Sequence, residues 1–178
     1  LNRLISDIAN ATRLDAELNR GSSAAFDLSH LAQSLAEGLS PGIEEQYKVT
    51  LVARTDVACP VSAQEARIAQ IIDNLLTNAA SFTPSGGRVF IATQCHDAHV
   101  QLIVADEGPG LAADTQEKIF DRFYTDRSKQ PQTANGVGAA QQAGHSGLGL
   151  SISRQIARAH GGDLTADNRP DGVGAFFT

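Results

Sequence analysis

The chain has 178 residues, 42% of them hydrophobic, and a formal net charge of -6. Such a length and composition suit one soluble core of ordinary size and exclude a disordered chain. The acidic balance gives no electrostatic case for nucleic acid or an anionic membrane surface, the apolar runs are far too short to span a bilayer, and no signal peptide is expected at the start of the sequence.

In chain order, Leu1–Arg20 carries a heptad-like seam of Leu1, Leu4, Ile8, Ala11 and Leu18, interrupted by Asp15. One narrow apolar stripe needs a partner helix. Residues 1–20 are therefore expected to form half of a helical hairpin or coiled coil, or else to pack on the domain that follows. Gly21–Ala25 is a small-residue break, read as a linker. Asp27 or Ser29 can cap a helix over about Leu28–Leu39, which Ser40–Pro41–Gly42 should end. Tyr47–Val52 alternates like a strand, and Val57–Val61 reads as a short strand or an extended connection. Cys59 and Cys95 lack metal-ligand spacing and lie in apolar stretches, so buried free thiols are expected, as in a reducing compartment.

Ser62, with Glu65 three residues on, forms a capping box for a long helix that runs to about Phe82. Within it, Ile71, Ile72, Leu75, Leu76 and Ala79 recur at three and four. Asn74 and Asn78, four apart, project from one neighbouring face. Asparagine is a mediocre helix former, so the pair calls for a reason. Either the amides satisfy buried backbone, or their oxygens meet a hard cation such as Mg²⁺. Pro84–Ser85–Gly86–Gly87 breaks the helix. Arg88–Gln94 and His99–Asp106 then form an antiparallel hairpin around His96–Asp97–Ala98.

Asp106–Glu107–Gly108–Pro109–Gly110 places a carboxylate at a strand end beside flexible glycines. It can be an ordinary surface turn, or a carboxylate that accepts from an exocyclic amine such as that of adenine. Ala113–Phe120 reads as a short helix, with Phe120 and Phe123 as an aromatic plug at the base of a loop. Thr125–His145 is rich in Gly, Gln, Ala and Ser and is expected to be mobile. Gly147–Leu148–Gly149–Leu150 opens a helix whose free N–H groups suit a phosphate, although glycine also serves ordinary packing there. That helix should end at His160–Gly161–Gly162, and Asp163–Ala166 and Gly174–Thr178 close the chain as strands. The five histidines have no partner at ligand spacing, so they are not expected to bind metal. These elements add up to an α+β fold: a two-layer α/β sandwich with a mostly antiparallel sheet, helices on one face, and a helix in front. The start on a helical pattern without Met and the stop on GAFFT suggest a piece of a longer protein.

The signals gain specificity from their order. NLLTNAASFTP, DEGPG, IFDRFYTDRS, SGLGLSISRQIARAHGG and GAFFT follow one another. This series resembles the ATP-binding catalytic domain of bacterial sensor histidine kinases, within the GHKL ATPase superfamily. The segments correspond to its N box, first glycine box, F box, second glycine box and last strand. FYTDRS followed by SGLGLSISRQI is most similar to the ChvG/ExoS-like sensor kinases of alphaproteobacteria. The resemblance covers residues 26–178, and Leu1–Leu18 is similar to the second helix of the family's dimerisation and histidine-phosphotransfer hairpin.

The resemblance implies Mg²⁺ and ATP as cofactors. Asn78 would be the Mg²⁺ ligand and Asn74 its companion in the nucleotide pocket. Asp106 would take the adenine amine over a floor shaped by Gly108 and Gly110. Gly147, Leu148, Gly149 and Leu150 would line the phosphate end, Tyr124 would stack near the base or ribose, and Thr178 would close the adenine side. Residues 125–145 would be the ATP lid, with Arg127 reaching phosphate. It also implies a response regulator receiver domain as partner, homodimerisation through the hairpin in the intact protein, and membrane attachment only through segments outside this chain, which would lie on the cytoplasmic side. Two positions depart from the family: many members carry Lys or Arg at Ser81 and Arg at Thr125. Arg88, Arg127 or Lys129 are the cations available to compensate. The phosphoacceptor histidine of the family would precede Leu1, so the chain itself is expected to bind Mg·ATP without phosphorylating itself. The rival readings are a degenerate nucleotide-binding or docking module, and another GHKL ATPase.

Overall fold

The structure, a computed structural model, describes residues 22–55, 57–112, 114–124 and 147–178. The expected hairpin helix 1–20, Arg127, Lys129 and the expected lid 125–145 lie outside the described residues. Two layers are built from seven strands and three helices among the described residues. Strand β1 (Ala24–Asp27) runs into helix α1 (Leu28–Tyr47), and β2 (Thr50–Arg54) and β3 (Pro60–Ala63) precede helix α2 (Glu65–Phe82). Next come β4 (Arg88–Cys95), β5 (Val100–Asp106), helix α3 (Gly149–Ala159), β6 (Ala166–Asn168) and β7 (Ala175–Phe177).

Five strands form the main sheet in the order β2-β4-β5-β7-β6, and β1 pairs with β3 apart from it. Only β2 and β4 are parallel, with Thr50 opposite Arg88; the other pairings are antiparallel. A parallel pair needs a long crossover, and β3 with α2 supplies it. Strand β5 therefore lies in the middle of the sheet and carries Asp106 at its end.

Periodicity explains the packing. The apolar stripe of α2 buries Ile71, Ile72, Leu75, Leu76, Ala79 and Ala80. It meets Val89 and Ile91 of β4, Val104 of β5, and Ile152 and Ile156 of α3 in one core. Leu75 is 1% exposed. Leu75→Ala should cost about 2–5 kcal/mol in a urea melt, from lost transfer energy plus the cavity left behind. Among the described residues no helix is long and apolar enough to cross a membrane.

Several expectations need correction. Helix α1 does not stop at Ser40 but continues through Pro41 to Tyr47. Proline forfeits one backbone bond there, yet burial of Ile43 holds the following turn, and left-handed Lys48 ends it by donating its N–H to Glu44 O. Ser62 is not a cap: it pairs with Ala25 across β1 and β3, and α2 starts after an extended Gln64. The Gln64 N–H instead donates to His160 Nε2 at 3.2 Å, tying the start of α2 to the end of α3. Among the described residues of the stretch read as a helix over Ala113–Phe120, only a 3-10 turn at Lys118–Phe120 forms. The Thr115 hydroxyl donates back to Ala112 O at 2.7 Å, a local bond that competes with helix.

Strand β1 begins inside the stretch read as a linker, at Ala24. Cys59 and Cys95, expected as buried free thiols, are joined as a disulfide with their Cα atoms 5.6 Å apart. Cys59 is buried and Cys95 exposed. Asp27 Oδ1 accepts from the Cys59 N–H at 2.9 Å and so fixes the lead into β3. The sulfurs are 36 residues apart in sequence, beyond what spacing in the sequence reveals.

Candidate nucleotide-binding site

Asp106 is buried, with 3% of its surface exposed. Its Oδ1 accepts from the Gly108 N–H at 2.8 Å and the Ala175 N–H at 3.1 Å. Among the described residues, nothing donates to Oδ2. Burial pushes the carboxyl above its ordinary pKa, against the two amides and the nearby Arg169 charge, which pull it down. A buried carboxylate oxygen without a partner is costly, so it fits a ligand that brings an N–H donor. Gly108 is required by close packing: a Cβ there would lie 2.8 Å from both Asp106 Oδ1 and Phe82 O. Gly110 has φ +70° and faces Asn168, where a Cβ would approach Oδ1 to 2.7 Å.

The two asparagines of α2 are unlike each other. Asn74 Nδ2 donates to Ser153 Oγ at 3.2 Å and lies 3.4 Å from Gly149 O. It joins α2 to the first turn of α3, and it leaves its own Oδ1 as the acceptor that remains. Asn78, one turn further along the same face, makes no side-chain hydrogen bond among the described residues. A half-buried carboxamide without a partner suits a hard cation, which takes oxygen ligands. Ser153, which the sequence reading missed, is fully buried on α3. The small polar residue on the inward face of SISRQI was the available signal.

Gly147 enters α3 with φ +69°, and a Cβ there would meet Phe123 C at 2.8 Å and Tyr124 O at 2.9 Å. The Phe123 N–H donates to Gly147 O at 2.9 Å. Leu148 is buried under the helix start, and among the described residues no side chain caps α3. Free first-turn amides beside glycine suit an anionic oxygen. Leu150 and Tyr124 are half-buried against the core. Thr178 exchanges backbone bonds with Thr165 at 2.8 and 3.0 Å, next to the β7 end. Phe120 is buried as expected, but Phe123 is not in the plug: it is 58% exposed with φ +67°. The Phe120 ring is covered by Arg154, whose guanidinium lies 4.6 Å from the ring centroid. Arg154 also pairs with Glu117 at 2.7 Å and with Asp163 at 2.9 Å, and the bonds of Arg154 and Arg158 hold the Asp163 carboxyl far below the usual carboxylate range.

Arg88 is not a spare cation. Its N–H, Nε and Nη2 all donate to Glu107, at 2.9, 3.1 and 2.6 Å. Its guanidinium also sits 5.3 Å from the Phe90 centroid. It therefore does not replace the charge absent at Ser81, whose hydroxyl donates to Asn78 O at 2.7 Å. The structure thus brings Asn74 together with Gly149, and Asp106 together with Gly108. Among the described residues no group of three or more His, Cys, Asp or Glu side chains could hold a metal.

The described residues thus combine a mixed sheet covered by helices, a buried strand-end carboxylate and a glycine-opened helix against which Asn74 packs. Residues 63–178 match the family described as histidine kinase-, DNA gyrase B-, and HSP90-like ATPase, and the chain belongs to that family. It is 41% identical to Sensor protein ChvG of Agrobacterium fabrum (strain C58) over 184 aligned positions, covering 99% of this chain and 29% of that protein. It is 45% identical to Sensor protein ChvG of Rhizobium meliloti (strain 1021) over 176 positions, covering 94% of this chain and 29% of that protein. The chain thus spans under a third of the length of these curated relatives. Among solved structures it is similar to full-length ShkA in complex with AMPPNP, with a TM-score of 0.71 and 27% identity over 98% of this chain and 34% of that one. The family and the two-layer fold agree with the resemblance seen in the order of the motifs.

Proposed function

We propose that the chain is the Mg·ATP-binding catalytic part of a two-component sensor histidine kinase. The observation that carries this reading is the buried Asp106 with one carboxylate oxygen committed to backbone and the other open to a donor. The adenine amine supplies that donor. The amides of Gly147–Leu150 face the phosphates, while Asn74 and Asn78 stand one turn apart beside them. Asn78 would hold Mg²⁺, which neutralises charge on phosphate oxygens when bound. Asn74 keeps its donor side on α3 and leaves its oxygen free to accept. Tyr124 and Thr178 flank the base, and Arg127 lies in the segment expected to close over the phosphates. Support comes from the AMPPNP complex of ShkA and from the sensor proteins that the chain resembles.

In this reading the bond between the β- and γ-phosphates breaks and an N–P bond forms on a histidine outside this chain, with ADP leaving. Residues 1–20 would be the second helix of the hairpin that dimerises the intact protein and carries that histidine. The phosphoryl group would then pass to an aspartate of a response regulator. The chain would lie on the cytoplasmic side of a sensor anchored by segments outside it.

Calorimetric titration of the full chain tests the reading. Wild type should bind ATP, more tightly with Mg²⁺ than with chelator. Asn78→Ala should lose that Mg²⁺ enhancement, about tenfold or more, with its melting temperature unchanged, since its side chain holds no other element. Absence of ATP binding in the wild type overturns the reading. An unchanged Mg²⁺ response in Asn78→Ala overturns the metal assignment.

A further inference from the structure

The β6–β7 turn, residues 168–175, touches the floor of the site at both ends. Asn168 grips Leu111, the residue that follows DEGPG, from two sides. Its Oδ1 accepts from the Leu111 N–H at 2.6 Å, and its Nδ2 donates to Leu111 O at 3.0 Å. The two contacts fix the amide orientation and leave it no alternative flip. Gly110, packed against the same Oδ1, is thereby held in its left-handed conformation. The next residue, Arg169, reaches the other end of the loop: its Nη1 donates to Asp106 O at 3.2 Å. Arg169 is itself braced by Asp171 at 2.6 Å and by the face of Phe90, 5.4 Å from its centroid. The turn closes with the Ala175 N–H on Asp106 Oδ1.

We propose that Asn168 and Arg169 are positioning residues for the nucleotide base: they clamp the two ends of the Asp106–Leu111 floor and so aim the open Asp106 oxygen. Neither residue touches the base, and they belong to none of the motifs by which the site was read. The assignment rests on Asp106 as the base contact. A floor held at Leu111 and at Asp106 O keeps one oxygen at a fixed height, which favours a ring with an amine donor over one with a carbonyl at that position. Released, the loop can retreat, and the discrimination falls with the affinity.

The test is calorimetric titration of the full chain with Mg·ATP and Mg·GTP, beside thermal melting. Wild type should prefer ATP. Asn168→Ala, which removes two hydrogen bonds, should weaken ATP about tenfold and narrow the ATP-to-GTP ratio. Its Mg²⁺ response should match wild type, unlike that of Asn78→Ala. Arg169→Ala should move the ratio in the same direction. Asn168→Asp, which keeps the acceptor for Leu111 N–H, should recover part of the loss, and it carries the test should Asn168→Ala fail to fold. A ratio and affinity equal to wild type in folded Asn168 and Arg169 variants overturn the proposal alone. Failure of wild type to bind either nucleotide overturns the reading of Asp106 instead.

Discussion

Asp106→Asn should abolish measurable ATP binding, a loss of about 3 kcal/mol or roughly 100-fold, without weakening the fold. The replacement is isosteric. One amide oxygen can go on accepting from the Gly108 and Ala175 N–H groups, so β5, the loop and β7 stay joined. The other position then carries an NH₂ group, which would meet the adenine amine of the proposed complex donor to donor. The stability effect has the opposite sign. Burial raises the folded-state pKa of Asp106, so its ionised form opposes folding. A raised carboxyl contributes stability that is fully present below its unfolded pKa and lost as pH rises through the folded one. At neutral pH the neutral amide escapes that penalty, and Asp106→Asn should melt at or above wild type. The difference should vanish as pH falls below about 4, where both forms are uncharged. Paired melts and titrations across this range check both signs. A variant that unfolds at neutral pH would mean that the carboxylate is held for structure alone.

Gly174→Ala should rank with the costliest core truncations. A Cβ at Gly174 would lie 1.8 Å from Asp106 O and 2.7 Å from its carbonyl carbon, where backbone meets backbone and nothing flexible can yield. Its φ of +90° adds conformational strain. The β5–β7 pairing must separate to admit the methyl, so a loss above about 4 kcal/mol, or outright misfolding, is expected. Gly172 supplies the control within the same turn. It too has a positive φ, +78°, but a Cβ there meets nothing within 4 Å. Gly172→Ala should therefore cost about 1–2 kcal/mol, the left-handed term by itself. Urea melts of the two variants separate crowding from dihedral strain. Equal losses would refute the steric account.

These two glycines also mark how far the sequence can be read. The three-and-four spacing of α2 located its buried face and placed Asn74 and Asn78 together because both are local properties of one helix. Asp106 was legible as a strand-end carboxylate beside glycine. Its buried, half-satisfied state was not, because Ala175 supplies one of the two amides from 69 residues away. Proline at position 41 misled because local chemistry argues for a stop, whereas burial of Ile43 overrides it. Ser62 carried a cap signature that strand pairing with Ala25 outbid. Arg88 looked available as a cation until Glu107, across the β4–β5 pairing, occupied its donors. Asn168 and Arg169 sat in an ordinary turn sequence. Their role exists only once β6 and β7 are laid beside β5. In each case, what escaped reading depends on a partner distant in sequence.

The parallel pairing of β2 with β4 bears on the order in which the molecule assembles. The β4–β5 hairpin joins neighbours across a short turn, from Val89 opposite Asp106 to Cys95 opposite Val100. Its loop closure is cheap, and hairpins of this kind form in about 1–10 μs. Strand β2 can dock on β4 only after β3 and α2 have been brought over the sheet, and β7 reaches Val104 and Ala105 from far along the chain. Non-local pairings of that sort slow folding relative to helical bundles of similar size. Mutations inside the hairpin should therefore act on the folding rate. Those at the β5–β7 seam, including the contacts around Asp106, should act on unfolding, so the Asp106–Leu111 loop would be the last part of the sheet to close and the first to open.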